Sequence, residues 1–351
     1  MRAITVQPGV KDSAQLDEVP EPDAADGALL VRALALGVCG TDREIIAAEH
    51  GSAPEGEQRL ILGHESLGVV EVAPKGCGFA PGDHVVGIVR RPDPVPCPSC
   101  AAGEWDMCRN GRYTERGIKG RHGFGAERFR LEPEFAVKVD KDLGLSAVLM
   151  EPTSIVAKGW DHAERIAHRA RTSALGTLLV TGAGPIGFLA ALLGKQRGLD
   201  VHIFDRAERG PKPELTHDLG ATYHIGDIAN VLANVAPDIL MECTGAAPVI
   251  SAALGNVAPN GIVCLAGVSA AGRTKQIDIG LLNRTIVLEN QAVFGTVNAN
   301  RRHYDAAAAA LQRADRDWLA RLVNRRVPLA RWHEALENRK DDIKVVIDFG
   351  M

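Results

Sequence analysis

Thr177-Leu178-Leu179-Val180-Thr181-Gly182-Ala183-Gly184-Pro185-Ile186-Gly187 decides the fold of one half of this chain. The first five residues read as a buried strand, and residues 186–197 read as a helix. The turn between them is a G-x-G-x-x-G. Its first glycine permits the tight turn, its second lets a pyrophosphate approach the backbone, and its third lets the helix pack close. The helix N-terminus then faces the phosphates. Gly182, Gly184, Pro185, Ile186 and Gly187 are therefore candidate cofactor contacts. Eighteen residues past Gly187, after the apolar run Val201-His202-Ile203-Phe204, stands Asp205, placed to grip a ribose 2′-hydroxyl. That carboxylate favours NAD by repelling a 2′-phosphate, whereas Arg206 and Arg209 offer such a phosphate a partner. NAD is the first choice and NADP is accommodated. Thr244 and Gly245, directly after another apolar run, are further candidate cofactor contacts.

Outward from this stretch, strands and helices alternate. Residues 238–243 and 261–265 continue the series of apolar strands, which implies a parallel sheet covered on both faces. Residues 1–150 differ. Short strand-like runs at 28–35, 67–72, 84–89 and 136–139 are broken by Gly and Pro, the pattern of a β-rich domain with long loops. Residues 303–323 read as one helix and 344–349 as a closing strand. The chain has 351 residues, enough for two domains. A net charge of -4 offers no basic field for nucleic acid. No run of about 18 apolar residues predicts a membrane span, and the N-terminal residues 1–6 alternate like a strand rather than a signal peptide. Seven cysteines, an odd number unevenly spread, do not form a secreted disulfide framework. A cytoplasmic protein is expected.

Cys39, His64-Glu65 and Glu151 are the ligand types of a catalytic zinc, which takes three protein ligands and keeps one position open. His64 and Glu65 interrupt the apolar run 60–70 and need a partner to justify burial, which a metal would supply. Thr41 has two roles open to it. Thr41-Asp42-Arg43-Glu44 fits a capping box that starts a helix, and its hydroxyl, two residues from Cys39, could take the proton of a metal-held alcohol.

Gly63-His64-Glu65-Ser66-Leu67-Gly68 resembles the G-H-E-x-x-G signature of zinc-dependent medium-chain alcohol dehydrogenases, and Gly82-Asp83-His84-Val85 and the glycine turn stand in that family's order. The resemblance covers essentially the whole chain. It implies an α/β fold with a GroES-like, β-rich catalytic domain at 1–152, a Rossmann doubly wound parallel-sheet domain at 153–299, and a return to the catalytic domain at 300–351. Arg90-Arg91-Pro92, residues 114–118, Gly123-Phe124, Met150-Glu151-Pro152 and residues 294–298 look like the glucose 1-dehydrogenase branch. By that resemblance Cys39, His64 and, directly or through water, Glu65 and Glu151 hold the catalytic zinc. Thr41, Glu115 and Asn298 then line a sugar site with Glu65 and Glu151, and Asn298 also meets the cofactor. The reaction implied is oxidation of an aldose at C1, D-glucose to D-glucono-1,5-lactone, with hydride passing to NAD(P)+. Another sugar, polyol or alcohol, and a homologue that binds dinucleotide without turnover, are the alternatives. Cys97, Cys100 and Cys108 are similar to the last three cysteines of the family's structural zinc lobe. Pro94 stands at the first position, which leaves Asp93 as a fourth ligand or a lobe that holds together without metal. A homo-oligomer, a dimer or tetramer, is also expected.

Overall fold

A computed structural model of the chain describes residues 1–170, 175–269, 272 and 274–351. It divides into two compact units, one of Met1–Ser154 with Asn298–Met351 and one of Ile155–Val297. The α/β class read from the sequence holds.

In the second unit six strands form one parallel sheet in the spatial order Thr222–His224, Asp200–Phe204, Thr177–Thr181, Ile239–Glu242, Ile262–Leu265, Ala292–Gly295. Chain order therefore reverses beside Thr177–Thr181, the point at which doubly wound sheets bind their ligands. Leu178, Leu179 and Val180 are fully buried, as a strand covered on both faces must be. Helix Pro185–Gln196 buries every residue from Gly187 to Gly194, so it lies against the sheet over most of its length. The register pairs Thr181 with both Phe204 and Glu242. The strands thus end level, and the loops that continue from them gather along one edge.

The first unit is built on a seven-stranded sheet whose main path runs Ala136–Lys138, His84–Gly87, Glu65–Val72, Leu29–Gly37, Val345–Asp348, Arg325–Pro328. Leu29–Gly37 alternates buried Leu29, Val31 and Ala33 with more exposed neighbours, which turns one face into the core. The C-terminal strand returns antiparallel to it, with Ile347 opposite Leu36. Leu29–Gly37 also runs antiparallel to Glu65–Val72, with Gly37 opposite Glu65. The end of one strand and the start of the other therefore meet, and the residues just after Gly37 are carried to those just before Glu65. Gly37 allows this approach: a Cβ there would lie 2.1 Å from Glu65 Oε2.

One helix expected at 303–323 is two, Arg301–Arg313 and Arg316–Leu322. Asp315 breaks the run, its carboxylate accepting from the Trp318 N–H at 2.8 Å and capping a new start.

Candidate active site

Cys39 and His64-Glu65 are delivered to one place by the antiparallel pairing of Gly37 with Glu65. One donor atom from each of Cys39, His64 and Glu65 lies within 4.8 Å of the others, and His64 and Glu65 are buried. A soft thiolate, an imidazole and a carboxylate at that separation suit zinc. His64 Nδ1 lies 3.4 Å from Asp42 Oδ1, without hydrogen-bond geometry. A carboxylate behind the imidazole is the arrangement that orients a metal-ligating histidine. Burial works against charge on His64, and Asp42 overrides it, holding the imidazole well above its usual range.

The helix here is Gly40–Ile46, with Cys39 rather than Thr41 at its N-cap. Asp42 reaches back to accept from the Cys39 N–H at 2.8 Å, which starts the helix two residues early. Thr41 is thereby free of capping, and its Oγ1 sits 3.9 Å from Cys39 Sγ at a half-buried position.

Glu151, in the first turn of Met150–Ala167, is outside the three-atom group. Burial pushes it up to about 7, with His64 opposing and Glu65 adding to the rise. Lys344 was missed by sequence reasoning. It is buried, its ammonium pairs with the Glu65 carboxylate, and it donates to the Val38 carbonyl at 3.1 Å. Burial alone would lower it, but Glu65 and Cys39 hold it above the ordinary lysine value.

Glu115 and Asn298 come together, although 183 residues separate them. Asn298 Nδ2 donates to Glu115 Oε1 at 2.5 Å. Arg90 adds two donors to the same oxygen, at 3.1 and 2.9 Å, and stacks 3.6 Å from the Tyr113 ring centroid. Asn298 has a φ of 61°, the left-handed region that asparagine tolerates better than most residues. Arg90 carried no role in the sequence reading, yet it fixes the Glu115 carboxylate.

Cys97, Cys100 and Cys108 form a second close group. Backbone N–H groups, chiefly that of Arg109 at 3.3 Å, draw Cys97 down to about 6. Asp93 is not in that group. Its carboxylate accepts from the Val95 N–H at 2.8 Å and from Arg112 at 3.3 Å.

In the other unit the glycine turn has the shape its sequence calls for. Gly182 has a φ of 97°, Gly184 caps the helix, and Pro185 opens it. A Cβ on Gly187 would fall 1.8 Å from the Gly182 carbonyl oxygen. Thr244 and Gly245 lie in the loop after Ile239–Glu242. That loop is held by the buried Glu242 carboxylate, which accepts from the Thr244 N–H at 2.7 Å and the Gly245 N–H at 3.1 Å. Asp205 is half-buried directly after Asp200–Phe204, with Arg206 exposed beside it. Lys212, seven residues on, contacts both Asp205 oxygens at 3.2 and 3.1 Å. Burial would raise Asp205, but the N–H groups of Ala183 and Ala207 outweigh it with help from Lys212. Lys212 thus offsets the charge that would repel a 2′-phosphate, a neighbour the sequence reading did not weigh.

Residues 144–349 match the family model described as glucose dehydrogenase C-terminus, and residues 25–141 match the alcohol dehydrogenase GroES-like domain. The chain is 41% identical over 365 residues to the glucose 1-dehydrogenase of Methanocella arvoryzae, with 100% of each chain covered. It is 40% identical over 354 residues to that of Thermoproteus tenax, with 99% of each covered. Among solved structures it is similar to Haloferax mediterranei glucose dehydrogenase in complex with NADP, Zn and gluconolactone, at 32% identity, a TM-score of 0.91 and 100% coverage of both chains.

Proposed function

From the premise that this chain belongs to the glucose dehydrogenase branch of the zinc-dependent medium-chain dehydrogenases, we propose a residue-level account of its reaction. The protein is an NAD(P)-dependent oxidoreductase that oxidises an aldose at C1, D-glucose to D-glucono-1,5-lactone. The C1–H leaves as hydride, the hydroxyl loses its proton, and NAD(P)H and the lactone result. The observation that carries this reading is the convergence of Cys39, His64 and Glu65 on one buried point.

Those three residues hold the zinc, with Asp42 orienting His64 and Glu151 completing the polar surround. A zinc held there would supply the Lewis acidity that eases deprotonation of the C1 hydroxyl, and a bound dinucleotide would accept the hydride. Thr41, half-buried beside Cys39, takes the proton and passes it outward. Glu115, fixed through Oε1 by Arg90 and Asn298, and Asn298 itself receive sugar hydroxyls. Gly182, Gly184, Pro185, Ile186 and Gly187 cradle the pyrophosphate, with Thr244, Gly245 and Asn298 as further cofactor contacts. Asp205 takes the ribose hydroxyls of NAD, and Arg206 and Arg209 take the 2′-phosphate of NADP. Cys97, Cys100 and Cys108 hold a second, structural zinc. Asp93, whose carboxylate also accepts from Val95 and Arg112, is the fourth ligand, and metal analysis giving one zinc per chain would remove the site.

None of the seven cysteines is in a disulfide, which supports a cytoplasmic setting. No helix among the described residues is long and apolar enough to cross a membrane. A homo-oligomer, dimer or tetramer, is supported by helix Ile279–Leu288. It buries none of its residues and exposes Ile279, Leu281, Val287 and Leu288. The strand Ala292–Gly295 lies at the free edge of the six-stranded sheet, where a second copy can continue the ladder. Light scattering that gives a monomer at micromolar concentration would refute this.

The test of the function is a turnover panel of glucose, galactose, xylose, sorbitol and ethanol with NAD+ and NADP+ in parallel. An aldose should be turned over best. Preference for sorbitol or ethanol would refute the sugar assignment.

A further inference from the structure

The loop after Asp200–Phe204 carries Asp205 and Arg206. Strand Thr222–His224 runs parallel beside it, with His224 opposite Phe204, and grips the loop at two points. The His224 carbonyl accepts from the Asp205 N–H at 3.1 Å, and the Tyr223 hydroxyl donates to the Ala207 carbonyl at 2.7 Å. The Ala207 N–H donates in turn to Asp205 Oδ1 at 3.0 Å, while Oδ2 accepts from the Ala183 N–H of the glycine turn at 2.8 Å. Asp205 and Ala207 are therefore both anchored. Arg206, between them, is exposed. Burial, with the Asp205 charge added, pushes the Tyr223 phenol up. Its hydroxyl therefore stays protonated and donates to Ala207 at any working pH.

We infer that Tyr223 is a positioning residue for cofactor choice: by clamping Ala207 it fixes the direction from which Arg206 meets the 2′-phosphate of NADP. On the reading of Asp205 and Arg206 as the ribose-facing pair, the two cofactors depend on this clamp unequally. Asp205 keeps its Ala183 and Lys212 partners when the Tyr223 hydroxyl is removed, so the ribose diol of NAD still meets a fixed carboxylate. Among the described residues Arg206 has only its backbone to aim it, and a rotamer-rich side chain on a loosened backbone must be ordered when it binds. That ordering weakens NADP binding by about two- to tenfold.

The experiment is a fluorescence titration of NADH and NADPH on the full chain, as wild type, Tyr223→Phe, Arg206→Ala and the double variant. Tyr223→Phe keeps the ring and removes only the hydroxyl. The ratio of NADPH to NADH Kd should rise about two- to tenfold in Tyr223→Phe, and the substitution should leave the ratio unchanged in the Arg206→Ala background. The KM for glucose at saturating NAD+ should stay at the wild-type value. Equal weakening of both cofactors, an unchanged ratio, or an effect that persists without Arg206 would overturn the proposal. The titration needs no sugar, so failure to oxidise glucose would count against the substrate assignment alone.

Discussion

Lys344 is buried against Glu65, one of the proposed zinc ligands, and replacing it by methionine isolates what its charge does. Methionine keeps most of the aliphatic stem, so little cavity opens. What is lost is the ion pair with Glu65 and the donation to the Val38 carbonyl at 3.1 Å. Removing one partner of a buried pair costs about 3–5 kcal/mol, because the other charge is left uncompensated. For a unit of this size each kcal/mol lowers Tm by about 2–4 °C. A loss of about 10 °C is therefore expected in metal-free protein. Zinc held by Cys39, His64 and Glu65 supplies positive charge to the same carboxylate, so the penalty should shrink when metal is present. Thermal melts of wild type and Lys344→Met, each in EDTA and in saturating zinc, read both numbers. The gap between the two proteins should narrow to less than half in zinc. Stripping the Cys97–Cys108 lobe affects both proteins equally and cancels. An equal gap with and without zinc would refute the view that Lys344 and the metal serve one carboxylate.

Gly187→Ala places a Cβ 1.8 Å from the Gly182 carbonyl oxygen. NADH titration should show affinity falling by about five- to 150-fold, if overpacking costs of about 1–3 kcal/mol are expressed at the turn; unchanged affinity would mean the turn is not the pyrophosphate cradle. Asn298→Ala and Glu115→Ala should each lower kcat/KM for glucose by about ten- to hundredfold, the worth of a hydrogen bond to a charged group, and a loss under about twofold would remove them from the sugar site. Glu132 is drawn down to about 2: burial opposes the charge, but Arg91 and Arg121 outweigh it. A depressed carboxylate stabilises the fold above its unfolded value of 4.5, and that contribution is lost as pH falls toward 2. Melts of Glu132→Gln should therefore show a shallower fall in Tm between pH 5 and pH 3 than wild type, and parallel curves would contradict the assignment.

What was legible in the sequence was local. The strand, the glycine turn and the helix of the nucleotide site occupy one continuous stretch, so the order of residue types already specified the backbone. Cys39 and His64-Glu65 were legible as donor types, because polar residues inside apolar runs need partners. Their convergence came only through the family resemblance, since no local pattern shows Gly37 pairing with Glu65 across two antiparallel strands. Lys344 reaches the site on a strand that returns from the far end of the chain, and no local pattern announces it. Lys212 was hidden for a subtler reason: its link to Asp205 depends on how the next helix enters. The cap at Cys39 escaped because cysteine is not among the preferred capping residues, while Thr41 with Glu44 three residues on already fitted a capping box. The break at Asp315 escaped because an aspartate in a periodic stretch reads equally well as part of a solvated helix face. Asp93 illustrates the converse. Proximity along the chain to three cysteines suggested a ligand, and the hydrogen bonds its carboxylate accepts from Val95 and Arg112 could not be read from that proximity.

The most direct measurement of zinc-dependent glucose oxidation at the Cys39, His64 and Glu65 set is kcat/KM for β-D-glucose in three samples. These are chelator-stripped wild type, the same protein after zinc is restored, and Cys39→Ala with its metal content determined. The stripped enzyme should be inactive and recover with zinc, while Cys39→Ala should lack one zinc per chain and stay inactive after the same treatment. Full glucose turnover by a Cys39→Ala protein shown to be free of metal would contradict the assignment of zinc chemistry to this set.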